Sequence, residues 1–179
     1  MTLPSRRVGA LILAVPLGIS AGMLVLRRTR STRGGAAAVS ANKEIVRRLV
    51  DGVWADRNHA IIDELVAQEY VGHDPTQPAP IQGRDGFKQF VDMYQSAFHD
   101  ATVTIDDQIA EGDQVVTRWT GRGTHTGELM GVAPTGKEVT VSGITISRLD
   151  SGQIVEEWEL LDALGMLIQL GAVPQPAMA

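Results

Sequence analysis

Two stretches, TVTIDDQIAEGDQVVTRWTGRGTHT over residues 102–126 and KEVTVSGITISRLDSGQIVEEWELL over residues 137–161, decide the fold. From Thr102 to Ala110 apolar side chains alternate, with Val103, Ile105 and Ile109 on one parity, which is the period of a half-buried strand. Glu111-Gly112-Asp113 reads as a hairpin turn into a strand over Gln114–Thr126. A further strand follows over Lys137–Leu149, Asp150-Ser151-Gly152 turns the chain again, and Gln153–Leu161 forms the last strand. Four long strands in sequence, the first and last pairs joined by short turns and the middle pair by residues 127–136, predict an antiparallel meander.

Upstream the period changes from two to that of a helix. Asn42–Asp56 (NKEIVRRLVDGVWAD) gathers Ile45, Leu49 and Val53, with Val46, Val50 and Trp54, on one side. A second helix is expected over His59–Gln68, and a third opens at Gly83-Arg84-Asp85-Gly86 and runs to about His99. Between them lies Glu69–Pro75 and a proline-rich loop through Pro78 and Pro80. Asp162–Leu170 reads as a closing helix, stopped by Gly171 and Pro174. Three helices and then a meander predict an α+β domain over residues 42–174. A curved antiparallel sheet would wrap the helices into a cone, and the interior of a cone is a natural ligand cavity.

The first forty residues are of another kind. Val8–Leu26 is a run of 19 residues without a charge, flanked by arginines. As a helix it would reach about 28 Å, close to the hydrocarbon thickness of a bilayer. Residues 1–30 are therefore expected to anchor the protein in a membrane, residues 31–41 to be a flexible Gly/Ala/Ser linker, and residues 175–179 to be a tail. The alternatives are an export signal cleaved near Ala36-Ala37-Ala38 and a buried core helix. More arginines follow the run than precede it, which favours a cytoplasmic domain by the positive-inside rule.

Composition narrows the function. The chain of 179 residues has no cysteine, which removes disulfides, thiolate metal sites and cysteine nucleophiles. Beyond residue 40, ten basic residues stand against all 21 acidic ones, a net charge of −11. A surface that acidic does not suit a phosphate backbone, so no nucleic-acid partner is expected. No phosphate loop, dinucleotide fingerprint or serine elbow occurs. No two of His59, His73, His99 and His125 have the short helical spacing of a metal site, so neither metal nor cofactor is expected.

Several local patterns recur in a known order. They are Tyr70-Val71-Gly72-His73-Asp74-Pro75, Gly83-Arg84-Asp85-Gly86, and Arg118-Trp119 with Gly123-Thr124-His125-Thr126-Gly127-Glu128. Ile154-Val155-Glu156-Glu157-Trp158 with Asp162, and Gln169-Leu170-Gly171, complete the set. In this order they resemble the SnoaL-like polyketide cyclases, which share the fold of nuclear transport factor 2 and ketosteroid isomerase. The resemblance implies a cone-shaped domain and a hydrophobic small-molecule substrate. It also implies cofactor-free proton transfer with aldol-type ring closure, although the fold hosts other chemistries and pure binders.

Glu156, Trp158, Leu160 and Asp162 share one parity on the last strand and so one face. If that face lines the cone, Asp162 is a desolvated base, the role the resemblance also implies for it. The competing reading is that Asp162 caps the closing helix. His73 and His125 are candidate catalytic donors to a substrate carbonyl. Arg118, Trp119, Trp158, Tyr70 and Glu156 are candidate substrate contacts. A homodimer through the open face of the sheet is expected, and a non-catalytic module that holds a hydrophobic ligand at the membrane is the alternative function.

Overall fold

The computed structural model describes residues 32–175. The apolar run Val8–Leu26 lies outside them. Among the described residues no helix is long and apolar enough to cross a membrane.

Helix α1 (Thr32–Val50) begins ten residues before Asn42. The stretch expected as a flexible linker is thus helical from Thr32. Ala36–Ala38 are the strongest helix formers and extend the turn they precede, although this part of α1 is mostly exposed. At its other end α1 widens into a π-turn over Asp51–Ala55, closed by the Asp56 N–H on the Asp51 carbonyl at 3.0 Å.

Helix α2 (Ala60–Leu65) stops earlier than helical periodicity suggests, because Val66 turns extended and opens strand β1 (Val66–His73). Val66, Tyr70 and Gly72 are buried along β1. The segment expected as helix end and loop is therefore a strand, and it changes the sheet. β1 runs parallel to β6 (Gln153–Leu161), pairing Val71 with Glu156 and His73 with Trp158. Its other edge takes the two-residue β2 (Ile81–Gln82). Helix α3 (Gly83–Ala97) follows, then β3 (Thr102–Glu111), β4 (Gln114–Thr124), β5 (Glu138–Asp150), β6 and α4 (Ala163–Leu170). The sheet order is β2-β1-β6-β5-β4-β3. The meander from β3 to β6 is antiparallel as expected, but the whole sheet is mixed and open.

One irregularity re-aims side chains. The β3–β4 register shifts between Ile105 and Asp107. A bulge adds one residue and swaps faces beyond it. Ile109, expected on the same face as Val103, is 66% exposed in consequence.

Two apolar clusters hold the domain. One joins Val46 and Leu49 of α1, Val53 of the π-turn, Ile62 and Leu65 of α2, and Phe87 and Val91 of α3 to Val66, Tyr70, Val115, Leu149 and Ile154 of the sheet. The other packs Met166 and Leu170 of α4 on Ala97, Phe98, Leu129 and Val139. Burial of a large apolar side chain contributes about 1.5–3 kcal/mol, so each cluster is a substantial share of the fold's stability.

Candidate active site

An open cavity lies between the helices and the inner face of the sheet. Val46, Val50 and Trp54 line it from α1 and its π-turn, Phe90 and Tyr94 from α3, and Thr117 and Trp119 from β4. Most of the remaining wall is apolar, with Val139, Val141, Leu161 and Met166 among it, and Thr145, Ser147, Glu157 and Glu159 form a polar patch on the sheet side.

The indole of Trp119 forms part of the floor. It lies against Gly143, where any Cβ would collide with the ring. Trp119 Nε1–H donates to Thr145 Oγ1 at 3.0 Å, and Thr145 Oγ1–H donates to Glu159 Oε2 at 3.3 Å. The direction of this relay is forced, because an indole nitrogen can only donate. Thr145 must accept there, so its own proton goes to Glu159.

Two acids of β6, Glu157 and Glu159, project into the cavity, and they are not equivalent. Both oxygens of Glu157 are occupied: Ser147 Oγ–H donates to Oε1 at 2.6 Å and Tyr70 Oη–H to Oε2 at 3.0 Å. Glu159 has only the longer Thr145 contact, which leaves Oε1 free. Each residue is half-buried, because its carboxyl faces the cavity, yet protein surrounds both.

That surrounding sets their acidity. Burial raises the Glu157 carboxyl, opposed by the hydrogen bonds from Ser147 and Tyr70. Burial pushes Glu159 up to about 8, helped by the charges of Glu157 and Asp74 and opposed by Thr145. A carboxylate with one free oxygen in an apolar cavity and an acidity near neutrality is suited to taking and returning a proton.

The expected site residues separate across the sheet. Trp119 lines the cavity as anticipated. Tyr70 is buried beneath it and acts on Glu157. His125 is fully buried, but it lies outside the cavity lining. Its Nδ1 accepts the Thr135 N–H at 3.3 Å and its ring tilts on Phe98 at 5.4 Å.

Asp162 and its parity partners point the other way. Asp162 is exposed and caps α4, accepting the Gly165 N–H at 2.8 Å. Trp158 is 37% and Leu160 69% exposed on the outer face. On that face His73 Nε2 lies 3.0 Å from Glu156 Oε1 and stacks on Trp158. Arg148 donates to Glu156 at 2.7 Å and holds its carboxyl below the usual range. Arg118 is also exposed there, paired with Asp106 at 3.0 Å. The expectation that Glu156, Trp158, Leu160 and Asp162 line the cone is thus corrected, because Glu157, Glu159 and Leu161 form the inward set.

Sequence reasoning missed Glu157, Glu159, Thr145 and Ser147. The available signal was that Thr145 and Ser147 are small and polar on one parity of β5, and they pair with Glu159 and Glu157 in register. Among the described residues no group of three metal-ligating side chains converges.

Residues 44–170 match the family model of the SnoaL-like polyketide cyclases. The solved structures agree. IdmH, a candidate polyketide cyclase from Streptomyces antibioticus, is 33% identical, with a TM-score of 0.65 over 73% of this chain and 98% of its own. A candidate SnoaL-like polyketide cyclase from Jannaschia sp. CCS1 is 26% identical, with a TM-score of 0.68 over 75% of this chain and 94% of its own. AclR, a candidate hydroxylase from Streptomyces galilaeus, is 25% identical, with a TM-score of 0.68 over 78% of this chain and 86% of its own. Among curated proteins none matches the chain. The chain belongs to the SnoaL-like polyketide cyclase family.

Proposed function

We propose that this member of the SnoaL-like polyketide cyclase family is a cofactor-independent carbon-acid enzyme, with Glu159 as its acid/base. The observation that carries the proposal is the single free oxygen of Glu159, facing an apolar cavity with its carboxyl raised to about 8. A flat carbonyl compound enters between Trp54, Phe90 and Trp119. Glu159 removes the proton next to the carbonyl and returns it to the product. Where the substrate carries a second carbonyl within reach, the enolate carbon attacks it and closes a ring. Without one, the same proton transfer gives an isomerisation. Thr145 and Trp119 act through Glu159 and position it. The names of IdmH and the Jannaschia protein support a cyclase, and AclR, 25% identical to this chain, carries the name of another reaction class.

The test uses 2-tetralone, a two-ring ketone, in D2O. Wild-type protein is expected to exchange its α-protons faster than buffer does, with a rate that rises to a plateau above about pH 8 as Glu159 ionises. Glu159→Gln removes the base and is expected to slow exchange by about 10²–10⁴-fold. Binding without exchange would sink the enzyme reading and leave the ligand-binding module in its place.

On sequence grounds we also propose that Val8–Leu26 anchors the domain in a membrane, facing the cytoplasm. Release of the full-length protein by alkaline extraction of membranes would overturn this. The homodimer is proposed to form through the outer sheet face, where Ile109, Ile144, Trp158 and Leu160 are exposed.

A further inference from the structure

The cavity carries ionisable groups of one sign only. Glu157 and Glu159 face into it from β6, and the partners of both carboxyls are neutral hydroxyls. Among the described residues Arg122 is the one basic residue of the lining, and it is exposed on β4. It shares the parity of Arg118 and Thr120, which both donate to Asp106 on the outer face, so its side chain leaves the strand on that side.

Hydrogen-bond counting places a negative charge on Glu157. Tyr70 Oη–H and Ser147 Oγ–H donate to its two oxygens, and among the described residues neither hydroxyl has another acceptor. A proton on Glu157 would claim one of those hydroxyl oxygens as its acceptor, and that hydroxyl's own proton would lose its partner. Burial works against the charge, and the two hydroxyls offset it.

An enolate formed in this cavity therefore meets a difficulty. Its oxygen needs a hydrogen-bond donor or a cation close by. The side chains of the wall supply neither. Trp119 Nε1–H is spent on Thr145, and the hydroxyls of Thr145 and Ser147 are spent on the two glutamates. The Tyr94 hydroxyl and the Thr117 side chain are buried and offer a ligand no surface. What the wall does offer is aromatic, with Trp54, Phe90, Phe98 and Trp119 around the same space. Rings and carboxylates together suit an organic cation, through cation–π attraction and charge-assisted hydrogen bonds.

We infer that the cavity takes a hydrophobic amine in its protonated form, with the ammonium beside Glu157 and Glu159 and the apolar body among the aromatic rings. This rests on the proposed function, because it names the substrate class of that same site: a carbonyl compound that carries a basic nitrogen. The substrate's own charge offsets that of the enolate, in place of the cation the wall lacks. A bound cation also favours the ionised form of Glu159, which readies the base near neutral pH.

The test measures binding of four probes to the full-length protein at about pH 7, where an alkylamine is charged: naphthalene, 2-naphthalenemethanol, 2-naphthylmethylamine and 2-naphthoate. The alcohol matches the amine in size, so that pair reads the charge. Wild type is expected to bind the amine about 10-fold or more tighter than the alcohol, with naphthoate weakest. Naphthalene should displace the amine, which locates it in the cavity and not on the acidic surface. Glu159→Gln, which removes a desolvated carboxyl and keeps its size, should cut the amine preference by about 3-fold or more. No preference for the amine over the alcohol, an amine that naphthalene does not displace, a preference unchanged in Glu159→Gln, or tight naphthoate binding would overturn this inference alone, since 2-tetralone exchange tests the enzyme reading separately. Failure of all four probes to bind would remove the cavity reading beneath both.

Discussion

Replacing Glu159 by glutamine tests the acidity of the site through protein stability, with no substrate needed. A glutamine at this position keeps the size of the side chain and an oxygen for the Thr145 hydroxyl, but it cannot ionise. In the wild type, folding raises this carboxyl from 4.5 to about 8. The folded protein therefore holds the proton more tightly than the unfolded chain. Stability from this group is full below about pH 4.5, declines as pH rises, and is lost once pH passes about 8. At ~1.36 kcal/mol per unit, a shift of ~3.5 units corresponds to ~5 kcal/mol, an upper bound because the cavity mouth admits water.

Urea unfolding of both proteins between pH 4.5 and 9 reads the difference. Near pH 4.5 the two should agree within about 1 kcal/mol. Near pH 8 Glu159→Gln should be the more stable by ~2–5 kcal/mol. The upward shift that burial gives Glu157 is present in both proteins, whereas its repulsion of Glu159 is lost with the substitution and is part of the difference measured. A difference that does not vary with pH, or a glutamine variant that is less stable at pH 8, would refute a desolvated Glu159. The same substitution abolishing proton exchange while adding stability would identify Glu159 as a group kept for function at a cost to the fold.

Other perturbations separate the remaining roles. Asp162→Ala removes the cap on Gly165 N–H and should cost about 1 kcal/mol by thermal unfolding, with Asp162→Asn largely retaining it. Proton exchange of 2-tetralone should stay within about 3-fold of wild type in both, and a loss on the scale expected for Glu159→Gln would return the base to Asp162. Gly143→Val drives a side chain into the Trp119 ring, so it should destabilise by about 1–3 kcal/mol and abolish naphthalene binding. Unchanged binding would show that Trp119 is not part of the floor. Leu160→Asp places a charge on the exposed outer face and should turn a dimer into a monomer in sedimentation, leaving the cavity intact. A wild type that is monomeric at all concentrations would refute the dimer proposal.

The sequence by itself determined the order of most elements and the family. β3 to β6 were legible because Val, Ile and Thr alternate between turn residues, and α1 and α3 because their apolar residues recur at helical spacing. β1 was not legible. Val66–His73 continues the apolar pattern of α2, and only its parallel pairing with β6 makes it a strand. The base was not legible either. A strand has two parities and sequence does not say which face is covered.

Glu156, Trp158 and Leu160 of β6 and the following Asp162 share one parity and were expected to line the cone together. The tertiary structure turned them out, because β6 shifts register against both its neighbours near Ile154. Glu157 and Glu159 face inward instead, opposite the hydroxyls of Ser147 and Thr145. Their acidity belongs to no residue alone. It comes from burial against the cavity walls and, for Glu159, also from Asp74, 85 positions before it in the sequence and brought near by the pairing of β1 with β6.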